Sequence, residues 1–184
     1  MNTDEFWQII DSVHSDSGGD MDRKCELLKI RLGKLNEQDL KDFIGHFDDA
    51  DAKAYTWPLW GAAYIMHGGC SDDSFSDFRA TLISHGHHIY KAALSDPDSL
   101  SDLIFRDEED ICYEGFQYVK TDVAKEKFGK IPERGTPFPD KPSGEGWDED
   151  SVYDLYPRLS AKYSFTNEKN HGRELKKPWW KFWQ

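Results

Sequence analysis

Long apolar runs are missing from the sequence. No stretch of about 18 such residues occurs anywhere in the 184, so no membrane span is expected. The opening residues, Met1 to Asp11, carry neither a basic nor an apolar stretch, and no secretory leader is expected there. Cysteine is scarce. Cys25, Cys70 and Cys112 are an odd set, which suits free thiols in a cytoplasmic protein better than a disulfide framework. Positive charge is also short: 23 Lys and Arg stand against 35 Asp and Glu, a formal net charge of −12. Without clustered Lys and Arg a phosphate backbone is not neutralised, so no nucleic-acid partner is expected. Zinc-ligand spacing is absent too, with no Cys-x-x-Cys and no His-Glu-x-x-His. No convincing period-two alternation is present, which predicts few strands, and no internal repeat is visible.

Aromatic residues are plentiful. Seven Trp, eight Tyr and eleven Phe give ample side chains to bury, which argues against disorder despite 32% charged residues. The length suits one domain. Charge is unevenly spread. Asn167 to Gln184 hold five basic and two acidic side chains, leaving 18 basic and 33 acidic before them, a net of −15. The expected organisation is a single helical domain over residues 1–165 and a basic, aromatic tail over 166–184.

Helical periodicity dominates the body. A first helix is expected from Thr3 to His14, with Phe6, Ile9, Ile10 and Val13 on one face, ending at Gly18-Gly19. Asp20 caps a second, whose stripe is Met21, Cys25, Leu28, Leu32 and Leu35. Asn36 caps a third with Leu40, Phe43, Ile44 and Phe47. A fourth starts near Thr56-Trp57-Pro58 and stops at Gly68-Gly69. Ser71 caps a fifth, ending near Gly86, and a sixth covers His87 to Leu94. One or two turns follow from Ser99, then a long helix from Glu108 to Lys127. Gly129 to Asp148, with four prolines, reads as an ordered strap, and a last helix covers Asp150 to Lys162 with a break at Pro157. The fold class expected is all-α: a single-domain, multi-helix bundle with a Pro/Gly-rich strap near the C-terminus.

Several motifs invite a chemical reading. Cys70 stands at a helix N-terminus, where the dipole favours a thiolate, but Asp72 and Asp73 oppose it; a thiol packed at a tight corner made by Gly68 and Gly69 is the plainer reading. Asp72 and Asp73 are either acid/base carboxylates or first-turn residues complementing the helix dipole. His67, His85, His87 and His88 lack metal spacing and suit helix ends. Trp57, Trp60 and Tyr64 form a stripe that packs as core or lines an aromatic pocket. Trp179, Trp180, Phe182 and Trp183 with their lysines could fold back on the acidic body, meet a partner or enter a membrane interface. No cofactor and no metal is expected.

The stretch Tyr55-Thr56-Trp57, Leu59-Trp60-Gly61-Ala62-Ala63-Tyr64, Gly68-Gly69-Cys70-Ser71-Asp72-Asp73 and Phe75 resembles the bacterial domain-of-unknown-function family 4240. Further motifs in family order are Leu82-Ile83-Ser84-His85-Gly86, Ala93 to Leu100, Pro142 to Asp150 and Tyr156-Pro157-Arg158-Leu159, so the resemblance runs from about Thr3 to Tyr163. It implies that both Trp-rich patches and the Gly-Gly-Cys junction belong to one domain. It supplies no activity and no catalytic residue.

No catalytic set emerges, so the chain is expected to be non-catalytic. The expectation is an acidic protein-binding domain whose partner has a basic contact face; an immunity or antitoxin protein that neutralises a bacterial toxin is one concrete version. Asp107, Glu108, Glu109 and Asp110 are the densest acidic run, and Trp147, Trp179, Trp180 and Trp183 are the candidate anchors. The alternatives are a small enzyme using Asp72, Asp73 and a nearby histidine, or a regulator holding a small ligand between Trp57 and Trp147.

Overall fold

A computed structural model describes the backbone of residues 1–170 and the side chains through Tyr163. The aromatic tail, with Trp179, Trp180 and Trp183, lies outside the described residues. The fold is all-α: α1 (Thr3–Ser17), α2 (Met21–Gly33), α3 (Glu37–Ala54), α4 (Trp57–His67), α5 (Asp72–Ser84), α6 (His87–Ser95), α7 (Val119–Phe128), α8 (Val152–Leu155) and α9 (Pro157–Asn170). Short 3-10 turns at Pro97–Asp102, Glu108–Cys112 and Phe116–Tyr118 join α6 to α7. No strand occurs among the described residues; the single ladder-type pairing is a bridge between Thr56 and Ser143.

Side-chain caps fix the starts. Asn2, Asp20, Asn36, Thr56 and Ser71 each accept a hydrogen bond from the backbone N–H three residues on, satisfying a donor the helix itself leaves free. Packing fixes the rest. α5 is the central element, packed against α1, α3, α4 and α6 and against the 3-10 turns at Glu108–Cys112 and Phe116–Tyr118. Its buried Phe75 and Phe78 meet a core that includes Phe6, Phe43, Phe47 and Phe116. α4 has apolar residues all round and is buried on most sides, between α5 and the α8–α9 pair.

The structure departs from the sequence reading in one place and matches it at Pro157. The long helix expected from Glu108 to Lys127 is three pieces. Tyr113 is extended (ψ 112°), with its N–H donating to Thr81 Oγ1 at 3.1 Å, and Gly115 adopts φ +135°, so the ladder cannot continue. At the C-terminal end, Pro157 opens α9 and keeps Tyr156 out of the helical region, which separates α8 from α9. α9 then continues through residue 165, so no break in the helix marks the proposed start of the tail. The strap is fixed toward its C-terminal end: Ser143 N–H donates to Tyr55 O at 3.0 Å, and Trp57 N–H donates to Ser143 O at 2.8 Å.

Candidate functional site

The acidic run follows directly on an extended segment. Leu103 leaves its 3-10 turn in extended backbone, and Ile104 is 89% exposed, an unusual state for an isoleucine. Asp107, Glu108 and Glu109 are exposed, while Asp110 turns inward and its burial pushes the carboxyl up. The run is anchored at its C-terminal end by Ile111 and Tyr113 and held at its start only by a surface ion pair. Ile111 is buried in the core, Tyr113 Oη donates to Asp22 at 2.5 Å, and Arg106 pairs with Asp20. The consequence is an exposed apolar residue followed by three solvated carboxylates, carried on α2 and α5 by the hydrogen bonds of Tyr113 and the buried side chain of Ile111.

Trp147 is not a free anchor. It is half-buried, its indole N–H donates to Trp57 O at 2.9 Å, and its ring lies 5.0 Å from that of Tyr64. Gly61 makes room for it, since a Cβ there would stand 3.0 Å from Trp147 Nε1 and 2.9 Å from Tyr156 Cε2. Trp57 stacks on Trp60 at 5.4 Å, Trp60 stacks on Phe75 at 4.8 Å, and Trp60 Nε1 donates to Cys70 O at 3.0 Å. Trp57 meets Trp147 edge-on at 6.2 Å, so the stripe and the strap interlock as core.

Of the residues of the enzyme alternative, His85 lies far from the two carboxylates. Asp72 and Asp73 are exposed in the first turn of α5, and His67 is exposed, with Nδ1 3.0 Å from Gly69 O. His85 lies beyond the other end of that helix, about 20 Å away at a rise of about 1.5 Å per residue. His87 stacks on Trp7 at 4.6 Å, and His88 is exposed. Cys70 is half-buried beside Cys112; the hydrogen bond between the two thiols, with burial, pushes the Cys70 thiol up and away from a thiolate. Among the described residues no group of three or more His, Cys, Asp or Glu is arranged to hold a metal ion.

Three buried cations escaped the sequence reading: Lys24, Arg79 and Lys120. Arg79 donates to Asp51 at 2.8 Å and lies over the rings of Tyr55, Phe75 and Phe138; Lys120 is 3.6 Å from Asp48. Lys24 has no such carboxylate and donates only to Ser84 Oγ, at 3.0 Å. Spacing held a signal for two of them. Lys24 lies three after Met21 and four before Leu28, and Arg79 lies four after Phe75 and four before Ile83, on the buried stripe in both cases. Two open clefts flank residues 130–135. One, of about 390 Å³, is lined by Asp42, His46, Asp48, Asp49 and Glu133; the other, of about 720 Å³, by Leu40, Phe128, Ile131 and Pro132. Neither reaches the acidic run, Trp147 or Asp72.

A family model described as "Protein of unknown function (DUF4240)" matches residues 1–126. The matched span takes in the Trp57–Asp73 stretch and the acidic run, and ends before Trp147 and the Tyr156–Leu159 motif. No curated protein and no solved structure matches the chain.

Proposed function

We propose that this chain, which belongs to the DUF4240 family, is a non-catalytic binding protein that presents an acidic face to a protein with a basic contact surface. The observation that carries the reading is Ile104, 89% exposed and followed by solvated Asp107, Glu108 and Glu109. Charge of one sign speeds encounter, but an apolar anchor excluded from water supplies most of the affinity. Ile104 takes the place that the sequence reading gave to an exposed aromatic. The net charge of −15 over residues 1–166 favours cationic partners and repels nucleic acid. A cytoplasmic immunity or antitoxin role, covering the basic face of a toxin, is the concrete form of this reading. The separation of His85 from Asp72 and Asp73 by the length of α5 favours binding over catalysis.

The test starts from a partner captured from the native host, identified, purified and titrated. The association rate is expected to fall at least about tenfold between low and about 0.5 M salt. A variant carrying Asp107→Asn, Glu108→Gln and Glu109→Gln should lose that salt dependence, and Ile104→Ser should raise the dissociation rate. An acidic partner, a rate indifferent to salt, or a triple variant that binds as wild type does would refute the reading.

A further inference from the structure

Beside the acidic face lies a polar cluster with no counter-charge in contact with it. Lys24 from α2 is fully buried, with the Ser84 hydroxyl as the acceptor for its ammonium. That hydroxyl itself donates to Thr81 O at 2.7 Å. The rings of His14 from α1 and His85, just beyond α5, meet edge-on at 5.2 Å. His14 Nδ1 and His85 Nε2 are both inaccessible to solvent and have no hydrogen-bond partner. Unpaired buried nitrogens are costly.

Three walls of this cluster are helices held by the main core. The fourth is the extended segment after Leu103, whose Phe105 ring stands edge-on to His85 at 5.3 Å. Its neighbour Ile104 contributes almost nothing to burial, and Arg106 ties it to Asp20 through a surface ion pair. Surface pairs hold weakly. Segment 103–107 is therefore the wall most easily displaced, and it leads directly into the acidic run.

We propose that His14, Lys24 and His85 form an acid-triggered latch beneath Phe105, which releases segment 103–110 when the imidazoles take up protons. The groups facing the trio are few. Asp11 of α1 favours the charged form of His14, but its carboxylate is already bonded to the His87 N–H at 2.7 Å. Asp110 from the acidic turn favours the ammonium, while burial keeps the Cys25 thiol beside Lys24 uncharged. Burial, and after it Lys24, holds both imidazoles below their ordinary range. Each proton added brings a second and then a third positive charge into a space with no contacting carboxylate. Displacing Phe105 admits water, the least costly relief. The acidic face described above then exists in its mounted form only above the transition. This last consequence rests on the proposed function; the latch itself does not.

Hydrogen exchange of the peptide spanning 103–110, corrected for intrinsic rates, tests the latch without any partner. Between about pH 7 and about pH 5 its protection should fall at least about tenfold more than that of α3. A variant with His14→Gln and His85→Gln should keep its protection across that range. Should that variant not fold, the wild-type histidine C–H resonances decide: His14 and His85 should titrate below the ordinary imidazole range, in step with the Ile104 methyl shifts. Uniform acid response along the chain, retention of the response in the variant, or histidine titration with a static Ile104 methyl would each overturn the latch. Failure of partner binding with the exchange pattern intact would remove only the proposed function.

Discussion

Gly61→Ala sets two effects of opposite sign against each other in one helix. Gly61 lies inside α4, where alanine is favoured by about 1 kcal/mol on backbone entropy alone. The added methyl would meet Tyr156 Cε2 at 2.9 Å and Trp147 Nε1 at 3.0 Å. Ordinary contact needs about 3.5 Å or more, so a ring must retreat by about half an ångström. Trp147 cannot do so freely, because its Nε1 already donates to Trp57 O at 2.9 Å. Lengthening that bond by a similar amount takes it past the useful range and forfeits about 0.5–1.5 kcal/mol. Overpacking adds about 1–3 kcal/mol. After subtracting the helix gain, Gly61→Ala should destabilise by about 0.5–3.5 kcal/mol. Urea unfolding measures the change, and near-UV dichroism should show the altered Trp147 environment. A variant as stable as wild type, or more so, with unchanged near-UV signal would show that the strap does not clamp on α4.

Other perturbations probe separate parts of the fold. Lys24→Met removes a buried ammonium whose pKa is depressed to about 8 by burial, from an unfolded value of 10.5. A depressed lysine costs nothing above its unfolded pKa and its full amount below the folded one, so the variant's advantage should grow as pH falls from about 10.5 to about 8, reaching about 3 kcal/mol in chemical denaturation. Asp98 is buried and its carboxylate accepts from Arg158 N at 3.0 Å and Leu159 N at 2.9 Å, capping α9 from another element. Asp98→Ala should cost about 1–3 kcal/mol and raise exchange in α9; an unchanged midpoint would disprove the cap. Gly69 has φ +124° with open space around its missing Cβ, so Gly69→Val should lose about 1–3 kcal/mol through backbone strain alone, and a wild-type melting temperature would contradict that.

The helix starts were legible because capping is local. Asn2 aside, the caps at Asp20, Asn36, Thr56 and Ser71 stand where a polar side chain reaches a backbone N–H three residues on, and nothing distant can alter that geometry much. The all-α class followed from the same short-range periodicity. The expected helix over 108–127 failed for a non-local reason. Tyr113 gives its N–H to Thr81, thirty-two residues earlier, and that long-range bond with Gly115 at positive φ outweighs local helical preference.

The candidate site was legible only in part. Asp107 to Asp110 stood out as a charge run, but the bare exposure of Ile104 depends on what fails to cover it, which no local pattern records. Trp147 read as an anchor because Trp is common at interfaces; its burial was settled by Gly61, eighty-six residues away. Lys24 and Arg79 lay on apolar stripes at i+3 and i+4 spacing, so their burial was implicit in the period. Their opposite electrostatic fates were not: Arg79 found Asp51 and three rings, while Lys24 found a serine and two histidines. Periodicity sets which face of a helix turns inward, because that depends on one helix alone. The partner that face meets depends on how distant helices pack, and here that packing decided which buried charge is neutralised and which is left to titrate.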